Sequence, residues 1–296
     1  MKVKVVTDSG CGLSQAQAEH LGIGFLPLQV NVDSQQYLDG VDLDTQTLYR
    51  LLQEGKMPTT SQPPLYLEEE LFEQYKKEGY TDLVAVNISS GLSSTNEVVQ
   101  ATAKRVGLNV HTLDIGTTLA IQRYLVIAAK QLVDQQKDPQ EVIALLQKAV
   151  DTSEGYLIVD NLDHLAAGGR LTPLAAKLGG LLKIKPVLKV AKSTGGKVDS
   201  FDKVRTFNKA LAKGIEQVEK AIQSGKEYEF FILNGNEDAN SQKAYNLLHA
   251  CAPNTNITVL DMFAVIACHT GLGSIGIQFI EKIEGVEYDE ASICDR

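Results

Sequence analysis

Short apolar runs and longer amphipathic segments alternate along the chain. Runs rich in Val, Ile and Leu occupy residues 3–7, 82–87, 110–113, 156–160, 230–233 and 257–262. In most of the longer segments between them, apolar residues recur every three or four positions, which is the spacing of one helix face. The runs predict strands and the longer segments predict helices, so the whole pattern predicts an α/β fold.

Capping residues indicate where several of the predicted helices begin. Ser14 and Asp44 directly precede helix-forming segments and suit the N-cap position. Pro64 suits the first turn of a helix over 65–75, and residues 25–32 predict a second strand. The stretch PTTSQP at 58–63 is typical either of a polar turn or of a loop whose hydroxyls face a ligand.

The polar stretch at 151–155 is the best candidate for a boundary between two domains. We expect an N-terminal α/β domain at 1–153 and a C-terminal α/β domain at 154–296, because a chain of this length exceeds the size at which one core usually divides. The pattern predicts a mostly parallel sheet in the N-terminal domain, or first lobe. In the C-terminal domain, or second lobe, it predicts a mixed sheet with a hairpin around 193–196. A ligand is expected in the cleft between the lobes.

Composition excludes several classes of protein. The net charge of −9 argues against nucleic-acid binding. There is no apolar run of about 18 residues, so we expect no integral membrane protein, and the N-terminus lacks a signal-peptide pattern, which favours a cytoplasmic location. The cysteines form no CxxC pair, which predicts free thiols and no metal site; they are Cys11, Cys251, Cys268 and Cys294.

One basic segment stands out from the acidic chain. Residues 164–198 hold seven lysines and arginines and no Asp or Glu, so the remainder of the chain carries −16. The segment is typical of a solvated surface or of a dock for an acidic partner or a phosphate. The basic residues are Arg170, Lys177, Lys183, Lys185, Lys189, Lys192 and Lys197.

Hydroxyl-rich loops at 59–62, 89–95 and 269–273 are the candidate ligand-binding segments. Taken singly, each has a structural interpretation, since Ser94 or Thr95 suits a helix cap. Taken together, hydroxyls and helix N-termini favour an anion such as a carboxylate or a phosphate. A histidine, His269, adds a hydrogen bond or a positive charge. The sequence has neither a GxxxxGK[ST] phosphate loop nor a GxSxG hydrolase elbow.

A nucleophilic site is the alternative that the residues leave open. Ser93 or Ser61, together with His269 and an acid such as Asp114 or Asp8, has the composition of a catalytic triad. That interpretation requires the serine and the histidine within hydrogen-bonding distance and a third group that orients the ring. No spacing in the sequence imposes this arrangement.

Six motifs together resemble the DegV family in order and spacing. They are TDSG, TTSQP, SSGLSST, LDHLAAGGR, KVRT and HTGLG, and they span essentially the whole chain. The resemblance implies a two-lobed α/β protein that binds a long-chain fatty acid such as palmitate, stearate or oleate. Some members look like the carrier subunits of bacterial fatty acid kinase, in which a separate ATP-binding subunit phosphorylates the bound acid and the acyl phosphate feeds phospholipid synthesis.

The same resemblance assigns roles to particular residues. It implies a carboxyl site made by Thr60, Ser61, Ser93, Ser94, His269 and Thr270. It places Arg170 and Arg205 near the kinase-docking face or the transferred phosphate. It implies no cofactor and no catalysis on this chain, with Mg-ATP on the kinase partner only, and it allows transient contact with a membrane. The alternatives are a serine-type acyl hydrolase or transferase and a lipid-sensing regulatory protein.

Overall fold

A computed structural model describes residues 1–178 and 184–294, apart from the side chain of Cys294. Lys183 of the basic segment and the predicted free thiol of Cys294 therefore lie outside the described residues. The other three cysteines are free thiols, as predicted. Within the described ranges, no helix is long and apolar enough to cross a membrane.

The elements confirm the alternation of strands and helices read from the sequence. The strands are β1 (Val3–Asp8), β2 (Gly24–Leu26), β3 (Gln29–Val32), β4 (Gln35–Leu38), β5 (Thr59–Ser61), β6 (Asp82–Val86), β7 (Asn109–Thr112), β8 (Glu154–Ile158), β9 (Lys185–Val190), β10 (Asp199–Val204), β11 (Tyr228–Asn234), β12 (Ile257–Asp261) and β13 (Ile275–Glu281). The α-helices are α1 (Gln15–His20), α2 (Thr45–Gln53), α3 (Leu65–Lys77), α4 (Thr95–Val106), α5 (Ala120–Asp134), α6 (Pro139–Val150), α7 (Leu162–Ala167), α8 (Pro173–Ala176), α9 (Phe207–Gln223), α10 (Asp238–Cys251), α11 (Ala264–Thr270) and α12 (Glu290–Cys294).

Two large sheets define two α/β lobes, as the hydrophobic pattern predicts. The first is parallel throughout, in the order β2-β1-β6-β7. The second is mixed, in the order β10-β9-β8-β13-β11-β12, with only β11 and β12 parallel. The predicted hairpin is present, since β9 and β10 pair antiparallel around 191–198. The exact division at 153 and 154 stays a prediction.

The predicted single strand at 25–32 is wrong. Its first part, β2, lies in the parallel sheet, whereas its second part, β3, lies in a small antiparallel sheet of order β4-β3-β5. Pro27 separates the two parts and has no N–H for a sheet ladder. The N–H of Leu28 donates instead to Ser9 Oγ at 3.1 Å. The chain therefore changes sheets at this point.

The stretch at 58–63 is not a turn, because Thr59–Ser61 forms strand β5. It pairs antiparallel with β3, with Thr60 opposite Val30. Among the helix starts, Ser14 and Asp44 are N-caps whose side chains accept backbone N–H groups, as predicted. Pro64 differs slightly from its predicted position, because it is itself the N-cap residue of α3.

The two faces of the six-stranded sheet have different partners. One face, which includes Tyr156, Ile158 and Ile277, packs against α9 and α10 in its own core cluster. The opposite face, which includes Leu157 and Leu233, joins a larger cluster that also contains α5 and residues of the parallel sheet. The face toward the parallel sheet is the one that borders the candidate site.

Candidate functional site

A cavity of about 560 Å³ lies where loops of the first lobe meet the inner face of the six-stranded sheet. Pockets for small molecules usually fall in the range of about 300–1,000 Å³. Apolar side chains make up much of the wall; they are Leu28, Leu65, Ile88, Leu92, Leu119, Leu157, Leu165, Val190, Val198, Val265 and Ile266. The cavity is therefore large and apolar enough for a hydrocarbon chain.

Glycines on the inner face of the sheet leave room for this cavity. Gly155 on β8 and Gly276 on β13 both line it. Gly155 lies between Val190 and Gln278 in the strand register, so these three residues form one row on the same face. A Cβ at Gly155 would lie 3.1 Å from Gln278 Nε2, and a Cβ at Gly276 would lie 2.9 Å from Leu233 Cβ. Neighbouring side chains of the sheet therefore leave little room for a larger residue at either position.

The predicted polar loops converge on this one cavity. Its lining includes all six predicted carboxyl-site residues, namely Thr60, Ser61, Ser93, Ser94, His269 and Thr270, and also Arg170. Arg205 is not part of the lining; it is exposed just after β10. The structure thus separates the two arginines that the sequence grouped together.

The side chains of Thr60 and His269 form a direct link between the first and the last of these loops. Thr60 Oγ1 and His269 Nε2 are 2.8 Å apart and share a hydrogen bond. Thr60 is held by the pairing of β5 with β3, and His269 lies in the last turn of α11. The two elements present a hydroxyl and an imidazole side by side at the cavity wall.

The imidazole of His269 is uncharged at neutral pH. Burial is the main cause and the neighbouring basic groups of Arg170 and His164 add to it; together they lower its pKa from 6.5 to about 4. Gly168 lies against the ring, since a Cβ at this position would come within 2.5 Å of His269 Nδ1. The ring therefore acts as a neutral hydrogen-bonding group, which is the first of the two roles that the sequence left open.

Ser93 and Ser94 stand at the N-terminus of α4. Ser94 is the N-cap residue, but its side chain makes no capping hydrogen bond. Ser93 Oγ is 2.8 Å from Thr95 Oγ1 and shares a hydrogen bond with it. The capping interpretation of the Ser94 hydroxyl is therefore wrong, and the helix end leaves this hydroxyl at the cavity wall.

Buried Asp8 positions the start of the serine-rich loop. Its Oδ2 accepts the N–H of Ile88 at 2.7 Å, and its Oδ1 accepts the N–H of Gly10 at 2.9 Å and the amide of Gln122 at 3.0 Å. Burial raises the pKa of Asp8 to about 6, against the opposing effect of these hydrogen bonds. The carboxyl thus ties β1, the loop after β6 and α5 together.

The residues of the alternative catalytic triad are not arranged as a relay within the described part of the chain. Asp8 is engaged as above, and Asp114 Oδ1 accepts the N–H groups of Ser90 and Gly116 at 3.2 and 3.0 Å. In that part of the chain, His269 shares its side-chain hydrogen bond with Thr60 and with neither Ser61 nor Ser93. A serine nucleophile therefore lacks a histidine partner in this geometry.

Ion pairs neutralise part of the basic segment. Lys185, Lys189 and Lys192 lie within 2.6 Å of carboxylates from outside the segment, which belong to Asp160, Glu154 and Asp151 respectively. Arg170 instead lines the cavity, and one of its guanidinium nitrogens donates to the carbonyl of Gly168 at 2.5 Å. Three of the seven basic side chains are thus paired at the surface, and Arg170 lines the cavity.

Several lining residues escaped the sequence analysis. Gln278 has a polar side chain in the middle of a buried strand; its Oε1 accepts the N–H of Ile121 at 3.2 Å and its Nε2 donates to Thr118 O at 3.1 Å. Thr117 also lines the cavity and is buried. A glutamine within an alternating strand pattern was the available signal for Gln278, whereas Thr117 gave none.

Comparison with known sequences extends the likeness over nearly the whole chain. The sequence model of the uncharacterised DegV family matches residues 2–282. A DegV domain-containing protein of Halalkalibacterium halodurans is 32% identical over 284 residues, which cover 95% of this chain and 99% of that protein. Another, from Listeria monocytogenes, is 31% identical over 283 residues, with 95% and 99% covered.

Solved structures show the same architecture. The crystal structure of a fatty acid binding DegV family protein from Streptococcus agalactiae matches with a TM-score of 0.86 at 30% identity, covering 95% of this chain and 99% of that one. The crystal structure of DegV, a fatty acid binding protein from Bacillus subtilis, matches with a TM-score of 0.85 at 29% identity, covering 95% and 100%. With its sequence matched over residues 2–282 and its fold matched over 95% of its length, this chain belongs to the DegV family.

Proposed function

We propose that this protein binds one long-chain fatty acid, such as palmitate, stearate or oleate, in the cavity between its two sheets. The observation that carries the proposal is the convergence of three distant polar loops on a single, largely apolar cavity. That combination suits a ligand with one polar head and a long hydrocarbon tail. The description of the Streptococcus and Bacillus relatives as fatty acid binding proteins supports it.

The tail provides most of the affinity and the polar loops determine orientation. Burying one methylene contributes about 0.8 kcal/mol, so the roughly 14 methylenes of palmitate contribute about 11 kcal/mol before any costs. A hydrogen bond to a charged group contributes about 1.5–3 kcal/mol. Thr60, Ser93 and the neutral His269 therefore hold the carboxyl in one place rather than provide most of the binding energy.

A second part of the proposal concerns what happens to the carboxyl. A separate ATP-dependent kinase subunit phosphorylates it, and the acyl phosphate enters phospholipid synthesis. Arg170 lies beside the head group and offers a guanidinium to the transferred phosphate. Exposed Arg205 offers a docking contact to the kinase. In this scheme the chain works in the cytoplasm, touches membranes only transiently and performs no catalysis itself.

Native mass spectrometry of the purified protein, followed by lipid extraction, tests the binding step. The expected result is a stoichiometric mass excess that matches one fatty acid. A protein that carries no lipid and takes up neither palmitate nor oleate would refute the proposal. Labelling of Ser93 by a fluorophosphonate probe would point to the hydrolase instead.

The presentation step is tested with a fatty acid kinase and Mg-ATP. We expect Ser93→Ala to weaken binding modestly and to reduce acyl-phosphate formation more strongly. Arg170→Glu is expected to reduce acyl-phosphate formation more strongly than it weakens lipid binding. Lipid binding without acyl phosphate in the wild type would favour a lipid-sensing regulator over a carrier.

A further inference from the structure

The cavity has a mouth that faces solvent and an inner end that is buried. Ser61, Leu65 and Ser94 line the cavity and are exposed. By contrast, the lining residues of segment 117–119 and of strands β8 and β13 are all buried. Since two of the proposed carboxyl-site residues, Ser61 and Ser94, are at the mouth, a bound acid would direct its tail toward the inner end.

The inner face of the six-stranded sheet shows where that end lies. Gly155 on β8 and Gln278 on β13 are paired and both line the cavity, whereas Phe231, the next residue of the row on β11, does not. In the neighbouring row, Gly276 on β13 lines the cavity and Leu233 beside it on β11 does not. Among the described residues, the cavity therefore stops at β13.

The side chain of Gln278 fills the space between this sheet and α5. A Cβ at Gly155 would lie 3.1 Å from Gln278 Nε2 and 3.5 Å from its Cγ, so the glutamine side chain lies beside Gly155 on the inner face. Its amide then reaches the start of α5, through the bonds to Ile121 N–H at 3.2 Å and to the Thr118 carbonyl at 3.1 Å. The glutamine thus spans from one lobe to the other and forms a wall of the cavity.

The backbone around α5 holds this wall in place. Both polar atoms of the Gln278 amide are bonded, so a rotation of the side chain would leave buried groups unpaired. Leu119 lies between the two bonded residues, lines the cavity, and has a φ of 65° and a ψ of −135°. Such a backbone is unfavourable for a residue with a side chain and persists only where its surroundings fix it. The Leu119 N–H donates to the carbonyl of Gly10 at 3.2 Å, and the bonds from Gln278 hold the residues on either side.

We infer that Gln278 sets the longest acyl chain that the cavity accepts. This inference rests on the proposed fatty-acid function and adds a specificity-determining residue to it. A chain that ends before the glutamine buries every methylene. A longer chain must displace a side chain that two hydrogen bonds fix, and packed interiors resist added methylenes. Gln278 lies outside all six recognised motifs.

The test measures Kd for straight-chain saturated acids from decanoate to docosanoate by equilibrium dialysis. In the wild type, Kd should tighten roughly fourfold per methylene up to a limiting length and no further. Gln278→Ala removes most of the wall and should raise the limiting length by about two carbons. For an acid that exceeds the wild-type limit by this amount, the affinity relative to the acid at the limit should rise about 10-fold. This ratio cancels any loss of affinity that both acids share.

Gln278→Leu is the matched control, because leucine keeps most of the bulk and makes neither hydrogen bond. Both variants should unfold at lower urea concentrations than the wild type, since both leave the same two backbone groups unpaired. Only Gln278→Ala should change the limiting length. If Gln278→Ala does not fold, Gln278→Asn gives the same comparison: it shortens the side chain by one methylene and should raise the limit by about one carbon.

Four results would overturn the assignment. A limiting length that is the same in the wild type and in the shortened variants would place the end of the cavity elsewhere and leave fatty-acid binding intact. A wild-type affinity that keeps rising through docosanoate would show that the chain meets no wall. An equal shift in Gln278→Leu and Gln278→Ala would show that the hydrogen bonds, and not the bulk of the side chain, set the limit. A wild type that binds none of the acids would refute the fatty-acid proposal itself, and with it the role of Gln278.

Discussion

Because the tail provides most of the affinity and the head group determines orientation, affinities for saturated acids of increasing length should follow a specific pattern. In the wild type, each added methylene should tighten binding by about 0.8 kcal/mol, or roughly fourfold in Kd, for as long as the cavity buries the added carbon. In Thr60→Val the hydroxyl beside His269 is lost but the apolar wall is not. A plot of its binding free energy against chain length should therefore run parallel to the wild-type plot.

The offset between the two plots measures what the hydrogen bond from Thr60 to the carboxylate contributes to the binding free energy. Losing one hydrogen bond to a carboxylate should shift every acid by about 1.5–3 kcal/mol, independent of chain length. Valine suits a strand position, so β5 should keep its pairing with β3. Thr59→Val is the matched control, because Thr59 is the neighbouring residue on the same strand, is exposed and does not line the cavity.

Equilibrium dialysis with radiolabelled acids from decanoate to stearate provides the affinities. The reasoning fails if Thr60→Val changes the slope and leaves no offset, because Thr60 would then contact the tail. It also fails if the wild-type slope is below about 0.4 kcal/mol per methylene, half of the full-burial value. In that case the apolar wall does not enclose the chain.

Three further substitutions test the architecture around the site. Gly168→Ala suits the local backbone, whose φ is −68°, but the added Cβ would displace the ring of His269. We therefore expect the free energy of unfolding in urea to fall by about 1–3 kcal/mol and palmitate binding to weaken. Gln278→Leu leaves two backbone groups at the start of α5 without partners and should cost about 2–4 kcal/mol in the same experiment. Burial raises the pKa of Asp39 from 3.8 to about 7. Its contribution to the free energy of unfolding is therefore full below about pH 4 and is lost as the pH rises through about 7. Asp39→Asn should flatten the dependence of the urea midpoint on pH over that window, and an unchanged profile would contradict this assignment.

Local signals in the sequence were sufficient for most helices and for the two kinds of sheet. Ser14 and Asp44 begin helices because a side-chain oxygen near a free backbone N–H stabilises that end wherever it occurs. The alternation of apolar runs with amphipathic segments likewise depends on neighbouring residues. The strand at 25–32 was mispredicted because its two halves pair with different sheets, and pairing partners are not a local property.

The site illustrates the same limit over longer distances. Hydroxyl-rich loops indicated an anion, and the structure brings them together. The pairing of Thr60 with His269 spans 209 residues, and no feature of either loop indicates it. The charge of His269 depends on burial and on Arg170, which only the folded chain defines. The sequence left the basic segment open between a solvated surface and a dock for a related reason: carboxylates such as Asp160 and Glu154 lie outside it in sequence but pair with it in space.

The glycine positions in the cavity wall have a consequence for the lifetime of the protein. Gly155 and Gly276 border the cavity without a side chain of their own, so an occupant of the cavity packs close to the backbone of the sheet. A ligand that binds only the folded state stabilises it by about 2.7 kcal/mol at a hundred times its Kd. If the proposed ligand is correct, resistance to proteolysis and cellular half-life should then rise and fall with the supply of lipid, with no change in gene expression.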